Sequence, residues 1–333
     1  MARVLTITLN PALDLNAETD SIRLGNVNRS RSTRLEAAGK GINLGRVLSR
    51  LGHTVTVSGL LGEINAAPFD RLFSSDILAD HFVRIPGQNR INVKIAEGDG
   101  RVTDLNGPGF DVPADALDRL KARLGNLKNR FDAVAIAGSL PGGFQPEALA
   151  ELVTLAREAD IPVWLDTSGA GLTAGLKALP DGIKPNTEEL AEWAGHPLES
   201  LDAIAEAGRS LQATGIANVV ISMGEKGVLW LSPKGNWQAL PPPVTATSTV
   251  CAGDTLLAGM IHGLLEHHHP EQVPSTATAL SAECVRHIGV GDPMADDFIQ
   301  LIQQTRVTLF TSFTSFTSVT PWPGHNNNGE IPS

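Results

Sequence analysis

Cysteine is scarce in this chain. Of its 333 residues, only Cys251 and Cys284 are cysteines. Two cysteines are too few for the disulfide framework that holds small secreted domains together, and this usage is typical of a reducing compartment. The cysteine content therefore predicts a cytoplasmic protein.

Long apolar runs are also missing. The strand-like stretch at residues 4–9 soon reaches Asn10 and Pro11, which makes it short for a secretory signal. No uninterrupted apolar run approaches the length that a membrane-spanning helix needs. The sequence accordingly predicts no membrane association.

Basic residues are in deficit. The chain has 26 Lys and Arg against 36 Asp and Glu, a formal net charge of −10. Such a balance argues against binding to nucleic acid or to an anionic membrane surface. It still allows an anionic small molecule to bind wherever a few positive side chains converge.

Strand-like and helical patterns alternate along the chain. Residues 4–9 and 54–58 read as strands around a helix at 41–51, and the buried-type run at 133–137 precedes a helix at 146–159. This alternation predicts an α/β fold with a doubly wound, mainly parallel sheet. Ligands in such sheets bind at the carboxyl ends of the strands. Five residues follow strand-like runs and are expected at that edge: Asp14, Gly138, Ser139, Lys184 and Ser222.

The segment at residues 248–260 carries the clearest chemical pattern. Small residues lead into Asp254 and then into an apolar helix, so Ala252, Gly253 and Asp254 lie at a helix N-terminus. Free backbone N–H groups and the helix dipole favour an anion there and would keep Asp254 ionised as a proton acceptor. Taken alone, the segment favours an ordinary aspartate helix cap after a glycine turn, because short motifs recur by chance.

Six further motifs accompany this segment in a defined order. They are TLNPALD at residues 8–14, AGKGINL at 38–44, RINVK at 90–94, GSLP at 138–141, KPNTEEL at 184–190 and SMGEKG at 222–227. Together they resemble the ribokinase-like (PfkB) family of sugar kinases over residues 4–302. The resemblance implies a ribokinase-like fold and ATP-dependent phosphorylation of a sugar, with Mg²⁺ accompanying ATP. Within the family, the motifs are most similar to the branch that phosphorylates fructose 1-phosphate.

Two stretches, 15–35 and 88–106, are polar and lack helical periodicity. The resemblance implies that they form a small β-sheet lid over the sugar, and that the lid pairs with that of a second subunit in a homodimer. Composition alone favours a pair of solvated surface hairpins.

The resemblance also implies which residues hold the sugar. Asp14 would accept hydrogen bonds from sugar hydroxyls, although alone it reads as an Asx turn. Lys40 lies in a glycine turn that matches neither the P-loop nor the dinucleotide pattern, and it implies a sugar that already carries a phosphate. The full set of implied sugar-binding residues is Asp14, Arg29, Gly39, Lys40, Gly41, Asn43, Arg90, Asn92, Lys94 and Ser139. Residues 90, 92 and 94 would share one face of a strand.

A second set is implied for the nucleotide. Its members are Lys184, Asn186, Ser222, Met223, Gly224, Glu225, Lys226, Gly227, Gly253 and Asp254. Glu189 would hold Mg²⁺ through water, since Mg²⁺ keeps several of its waters when it binds. Without the resemblance, Glu189 reads as a surface charge on a helix, and residues 222–227 read as a plain hairpin turn.

The implied reaction is direct, in-line transfer. Asp254 takes the proton of the sugar C6 hydroxyl, and the amides of residues 252–254 stabilise the developing charge, giving fructose 1,6-bisphosphate. The alternatives on this scaffold are kinases for tagatose 6-phosphate or fructose 6-phosphate. A catalytically weak sugar-phosphate or nucleotide sensor is another alternative, because Cys251 stands where the family signature has glycine. A nicotinamide-dependent dehydrogenase is less favoured because no dinucleotide fingerprint follows the early strands.

Cys251 raises two further expectations. A side chain there strains the turn if the position needs a positive φ. An electropositive anion site would also lower the pKa of its thiol.

The last segment differs in composition. Residues 310–320 repeat Phe-Thr-Ser and lead into an Asn-rich end. This low complexity predicts a kinase domain over residues 1–309 and a disordered tail over 310–333. An edge strand is the alternative, since Thr and Phe favour strands.

Overall fold

The computed structural model describes residues 1–76 and 78–311. Its strands, numbered along the chain, are β1 (Arg3–Thr8), β2 (Ala12–Thr19), β3 (Ser32–Ala38), β4 (Thr54–Gly62), β5 (Ala79–Ile85), β6 (Arg90–Glu97), β7 (Val102–Asn106), β8 (Ala133–Ala137), β9 (Val163–Asp166), β10 (Gly182–Ile183), β11 (Asn218–Ser222), β12 (Val228–Ser232), β13 (Gly235–Leu240) and β14 (Arg306–Leu309). The helices are α1 (Lys40–Arg50), α2 (Ala67–Ser75), α3 (Ala116–Leu124), α4 (Pro146–Glu158), α5 (Gly169–Leu176), α6 (Thr187–Ala194), α7 (Leu201–Ala213), α8 (Ala252–Leu265), α9 (Gln272–Cys284) and α10 (Phe298–Gln304).

Ten strands form the large sheet, in the order β14-β13-β12-β11-β10-β9-β8-β1-β4-β5. Pairing is parallel from β11 to β5, whereas β12, β13 and β14 add an antiparallel edge. Every residue of β8 is buried, as expected for a strand covered on both faces. The predicted doubly wound, mainly parallel sheet is confirmed.

Helices cover both faces of this sheet. One core contains buried side chains of α3, α4, α5, α6 and α7, and the opposite core contains those of α1, α2, α8, α9 and α10. Helices such as α4 and α7 bury one face and leave the other in water. In contrast, every residue of α8 is buried or half-buried. Among the described residues, no helix is both long and apolar enough to cross a membrane.

The four remaining strands form a separate small sheet, in the order β3-β2-β6-β7. It contains parts of both polar segments, 15–35 and 88–106, so the predicted lid sheet is confirmed in place of isolated hairpins. Asp14 lies inside β2 and faces the site from this lid sheet. The expectation that it follows β1 at the edge of the large sheet was wrong, because the chain turns at residues 9–11 and starts a new strand.

The structure places the end of the domain slightly later than residue 309. The backbone N–H of Phe310 donates to the carbonyl of Asn236 at 2.8 Å, and the Phe310 side chain packs against the core. Phe310 therefore continues the edge pairing of β14, contrary to the predicted start of the tail. Residues 312–333, the rest of the predicted tail, lie outside the described residues.

Candidate active site

The carboxyl ends of the parallel strands meet beside the start of α1. Gly41 is required there because a Cβ at this position would collide with the Thr8 hydroxyl and lie 2.9 Å from the Ile7 carbonyl oxygen. Gly39, the residue before the helix, has a φ of 141° that favours glycine. The two glycines therefore let α1 start against the end of β1, which brings Lys40 and Asn43 to the sheet edge.

Three charged side chains meet at this edge. Lys40 Nζ lies 2.9 Å from Asp166 Oδ1, and Lys184 Nζ lies 3.3 Å from Asp166 Oδ2. Asp166 ends β9 and is 1% exposed at its side chain, so its charge depends on both lysines. Burial alone would raise the pKa of Asp166, but the two ammonium groups outweigh it and lower that pKa. Burial likewise opposes the charge of Lys40, yet the carboxylates of Asp166, Asp254 and Glu189 raise its pKa above the ordinary value.

Asp166 was absent from the predicted site. It ends β9, so it lies at the same carboxyl edge of the sheet as the predicted residues. Lys40 was predicted to meet the phosphate on the sugar. The structure pairs it with Asp166, next to Lys184, which was assigned to the nucleotide. A Cβ at Gly253 would lie 3.3 Å from Lys184 Nζ, so the start of α8 adjoins the same cluster.

The start of α8 has the expected form with one restriction. The N–H of Ala252 donates to the Thr249 carbonyl at 3.3 Å, whereas the first helical bond is made by the Thr255 N–H to Cys251. The N–H groups of Gly253 and Asp254 lie between these two. The predicted cradle of three amides at residues 252–254 therefore reduces to those of Gly253 and Asp254, because the Ala252 N–H already has a partner.

Asp254 is buried in the third position of α8. Its Oδ2 accepts a hydrogen bond from Asn43 Nδ2 at 2.9 Å. Burial raises the pKa of Asp254 to about 6, although Lys40, Asn43 and Lys184 oppose the shift and Asp166 adds to it. The sequence suggested that the helix dipole would keep the Asp254 carboxyl strongly acidic, but burial outweighs the dipole. At pH 7 it is still mainly ionised, and a pKa near the working pH suits a general base.

Cys251 precedes α8 with φ 66° and ψ −5°, the left-handed region. The position therefore needs a positive φ, as the sequence analysis considered. Holding a residue with a side chain in this conformation costs roughly 1–2 kcal/mol. The expected acidic thiol was wrong: burial, with the Asp254 charge beside it, raises the pKa of Cys251 well above its ordinary value.

The lid sheet supplies the facing wall. Asn92 Nδ2 donates to Asp14 Oδ1 at 2.9 Å, and Lys94 Nζ lies 3.7 Å from Asp14 Oδ2. Residue pairing puts Asp14 opposite Asn92 and Ala12 opposite Arg90, so Arg90, Asn92 and Lys94 share the face that carries Asp14. The buried Nε of Arg90 has no hydrogen-bond partner among the described residues. This arrangement places positive charge and an unused donor on the face of the lid sheet that carries Asp14.

Two other predicted sugar ligands differ in placement. Ser139, just beyond β8, accepts a 3.3 Å hydrogen bond from Asn10 Nδ2. Arg29 lies in the exposed connection between β2 and β3, where its carbonyl accepts from the Thr19 hydroxyl. Within the described part of the chain, no contact joins the Arg29 side chain to the rest of the site. Its role in sugar binding stays a prediction.

Asn186 and Glu189 form a capping box at the start of α6. The Glu189 N–H donates to Asn186 Oδ1 at 2.7 Å, and the Asn186 N–H donates to Glu189 Oε2 at 2.9 Å. Both side chains thus stabilise the helix end directly. One Glu189 oxygen, Oε1, is not used by the capping box, so a water-mediated metal contact stays compatible with this geometry.

The segment at 222–227 joins β11 to β12 through a 3-10 turn, Gly224–Lys226. Gly224, Glu225 and Lys226 are exposed, and Met223 packs against the core. A Cβ at Gly227 would collide with the Ala239 carbonyl, and its φ is 86°. Packing of the hairpin alone therefore requires glycine at position 227, whether or not a nucleotide binds there.

Comparison with known proteins identifies the site's family. The profile of the pfkB family carbohydrate kinases matches residues 3–297. The chain belongs to this family. It is 44% identical over 289 residues to a 1-phosphofructokinase of Escherichia coli strain K12, covering 87% of this chain and 93% of that protein. A 1-phosphofructokinase of Haemophilus influenzae is 42% identical over 311 residues, 92% of this chain and 99% of its own length.

Solved structures agree with this result. The tetrameric inhibited form of phosphofructokinase-2 from Escherichia coli superimposes with a TM-score of 0.83 at 26% identity, covering 91% of this chain and 99% of that one. The pfkB kinase described here is therefore an ATP-dependent, phosphofructokinase-type sugar kinase, whose substrates are ATP and a sugar phosphate.

A pfkB kinase uses a divalent metal with ATP. Among the residues that the structure describes, no three His, Cys, Asp or Glu side chains cluster as a metal site. This fits an ion that arrives on the phosphates, because such an ion needs one or two carboxylates beside phosphate oxygens and water. Glu189 and Asp166 are carboxylates near this edge, and both lie close enough to Lys40 to raise its pKa. The metal contact of Glu189 stays a prediction.

Proposed function

We propose that this pfkB kinase transfers the γ-phosphoryl group of MgATP to the C6 hydroxyl of fructose 1-phosphate, with Asp254 as general base. The supporting observation is a buried carboxylate with a pKa of about 6, at a helix start that also adjoins two lysines. The C6 O–H bond breaks as the proton moves to Asp254, the O–P bond forms, and ADP leaves with the electrons of the broken P–O bond.

The remaining groups supply charge stabilisation. The N–H groups of Gly253 and Asp254 and the ammonium groups of Lys40 and Lys184 lie around the carboxylate, where the transferred group gathers negative charge. A bound Mg²⁺ neutralises phosphate charge, and Glu189 and Asp166 are the side chains that would hold it through water. Preorganised charges of this kind need no rearrangement during the reaction.

The lid sheet supports a substrate that is already phosphorylated. Arg90 and Lys94 face the site beside Asp14, and Arg90 retains a buried, unpartnered donor. An arginine fork suits a phosphate, whereas Asp14 and Asn92 suit hydroxyls. The two similar 1-phosphofructokinases favour fructose 1-phosphate over tagatose 6-phosphate and fructose 6-phosphate.

A coupled ADP-release assay with fructose 1-phosphate, fructose 6-phosphate, tagatose 6-phosphate and free fructose tests the substrate. We expect the highest kcat/KM with fructose 1-phosphate. A higher value for another phosphosugar would reassign the substrate, and binding of all of them without turnover would favour the sensor alternative.

The base is tested by Asp254→Asn, which should reduce turnover by about 10²–10⁴ and leave MgATP affinity unchanged. Asp14→Asn is the matched control, because it alters another buried carboxylate of the site, on the lid sheet. It should raise the KM for the sugar phosphate, with a much smaller effect on turnover. Near-normal turnover of Asp254→Asn would exclude Asp254 as the base.

We also propose a homodimer through the lid. Cross-strand pairing lines up Leu35, Leu15, Val93 and Leu105 on the face of the lid sheet opposite Asp14. Leu35 and Leu105 are 47% and 59% exposed, and the neighbouring Ile91 is 43% exposed. An apolar sheet face of this kind is suited to a second copy. The inhibited form of Escherichia coli phosphofructokinase-2, whose fold is similar, is a tetramer, so assemblies larger than a dimer exist for that fold.

Leu35→Lys combined with Leu105→Asp should convert the dimer to a monomer in sedimentation velocity. Ile299→Asp on α10, 65% exposed and outside the lid, is the control and should leave the assembly unchanged. A monomeric wild-type protein, or a double variant that still dimerises, would contradict this interface.

Two further proposals concern location and domain extent. The free thiols of Cys251 and Cys284 suit a reducing cytoplasm. Residues 1–309, extended by Phe310 and Thr311, act as one kinase domain. Fractionation of the producing cells and limited proteolysis test these two points.

A further inference from the structure

Asn43 makes two contacts that bear on the proposed base. It lies on α1 and is buried, and its Nδ2 atom is 2.9 Å from Asp254 Oδ2 and 3.3 Å from Cys251 Sγ. An amide nitrogen carries two protons, so both now have partners on the start of α8. Only Oδ1 of Asn43 is left for other partners. The predicted contact of Asn43 with the sugar is thereby limited to that oxygen.

The Asp254 carboxylate is surrounded by groups of both signs. Lys40 on α1 and Lys184 after β10 favour its ionised form, whereas Asp166 at the end of β9 opposes it. The thiols of Cys251 and Cys284 lie near enough to feel its charge, and burial together with that charge raises their pKa values. Asn43 differs from all of these groups because it is neutral and holds one named oxygen by a short bond.

That bond fixes direction as well as charge. With Oδ2 held by Asn43, Oδ1 is the oxygen left to accept a proton from a substrate hydroxyl. An ionised carboxylate can only accept hydrogen bonds, so the Asn43 amide must turn its nitrogen toward Asp254. The Cys251 sulfur accepts the second amide proton at 3.3 Å. A base needs this kind of orienting partner for its reacting atom to stay in place.

We infer that Asn43 is a positioning residue for Asp254: its amide, held by Cys251, orients the carboxylate so that Oδ1 receives the substrate proton. The inference rests on the proposed role of Asp254 as the base. It assigns to Cys251 a purpose for its left-handed conformation, since that backbone directs the thiol at Asn43.

Asn43→Leu tests this role because leucine has a similar size and no donor. Loss of a hydrogen bond to a charged group should shift the acid limb of the kcat profile upward by about one pH unit or more. Asn43→Ala should shift it in the same direction by less, since water can enter the smaller site. Alanine is the best helix former, so this variant keeps the test available should the leucine variant not fold.

Asn92→Leu is the matched control. It removes an equally buried amide that bonds to Asp14 at the same 2.9 Å. It should raise the KM for the sugar phosphate and leave the acid limb where it is in the wild type.

A second readout needs no turnover. The Asp254 carboxyl is titrated in the free protein by ¹³C NMR, with Asp254→Asn used to assign its signal. Asn43→Leu should raise the titration midpoint, whereas Asn92→Leu should not. Loss of rate in both Asn43 variants with unmoved midpoints would overturn the inference and leave Asn43 as a structural or sugar-binding residue.

The two readouts also separate this inference from the proposed function. If Asp254→Asn keeps its turnover, the base assignment fails. The NMR titration then still reports whether Asn43 controls the Asp254 carboxyl, and the positioning role in catalysis is rejected with the base.

Discussion

Replacing Asp166 by asparagine tests the charged cluster at the carboxyl edge most directly. Asp166→Asn keeps the shape of the side chain and removes the charge that compensates two lysines. Lys184 is 5% exposed at its side chain and cannot reach water, whereas Lys40 is 38% exposed and can. Removing one partner of a buried ion pair costs about 3–5 kcal/mol. We expect the lower end of that range, because solvent screens Lys40 and the asparagine oxygen still accepts one hydrogen bond.

The assay is thermal unfolding at pH 7. With an unfolding entropy of about 2.1 cal/mol/K per residue, a loss of about 3 kcal/mol lowers the melting temperature of a 333-residue chain by about 4–5 °C. Asp166→Asn combined with Lys184→Met removes both charges and should recover much of the loss, because the buried charge is then no longer unpaired. A single variant that melts within about 1 °C of the wild type, or a double variant no more stable than the single one, would refute this reasoning.

The effect should also depend on pH. The pKa of Asp166 is lowered in the folded protein. Its contribution is therefore present above the unfolded value of about 3.9 and is lost as the pH falls through the folded value. The difference between wild type and variant should be constant from pH 5 to 8 by this reasoning and shrink below about pH 4. Since Asp166 raises the pKa of Asp254, the acid limb of turnover should move below 6 in the variant.

The remaining predictions concern three separate regions. Arg90→Ala should raise the KM for the sugar phosphate by the equivalent of about 1.5–3 kcal/mol and leave the KM for ATP unchanged. Lys40→Ala should chiefly lower kcat. If both variants raise the KM for the sugar phosphate equally, Lys40 contacts the phosphate of the sugar after all. Burial lowers the pKa of His262 to about 4, and His262 is hydrogen-bonded to His53 at 2.9 Å. The contribution of His262 to stability is present above its unfolded pKa of about 6.5 and is lost as the pH falls toward its folded pKa of about 4. The denaturant midpoint should therefore fall less steeply between these two pH values in His262→Leu than in the wild type. The control variant His269→Ala, at an exposed site, should behave like the wild type. Deleting residues 312–333 should leave melting temperature and kinetics unchanged, while deletion from residue 310 should lower the melting temperature because Phe310 packs on the core; a large loss in the shorter deletion would show that the tail is docked.

The sequence alone identified the architecture and the family. Alternating strand and helix patterns are local, so they survive without knowledge of packing and predicted the parallel sheet correctly. The order of the motifs from residue 8 to residue 260 led to the pfkB kinases. That resemblance assigned 15–35 and 88–106 to a lid sheet, whereas their composition alone favoured surface hairpins. Asp254 was found because a helix start and a carboxylate are both readable from a short segment.

Only the tertiary structure decided how the charges are shared. Lys40 and Asp166 are 126 positions apart, and Asn43 and Asp254 are 211 positions apart, so no local pattern could pair them. Burial then set the pKa values: it raised those of Asp254 and Cys251, against what the helix start alone suggested. The pKa of a carboxyl or thiol depends on the water and charge that surround it, and those follow from which elements pack together.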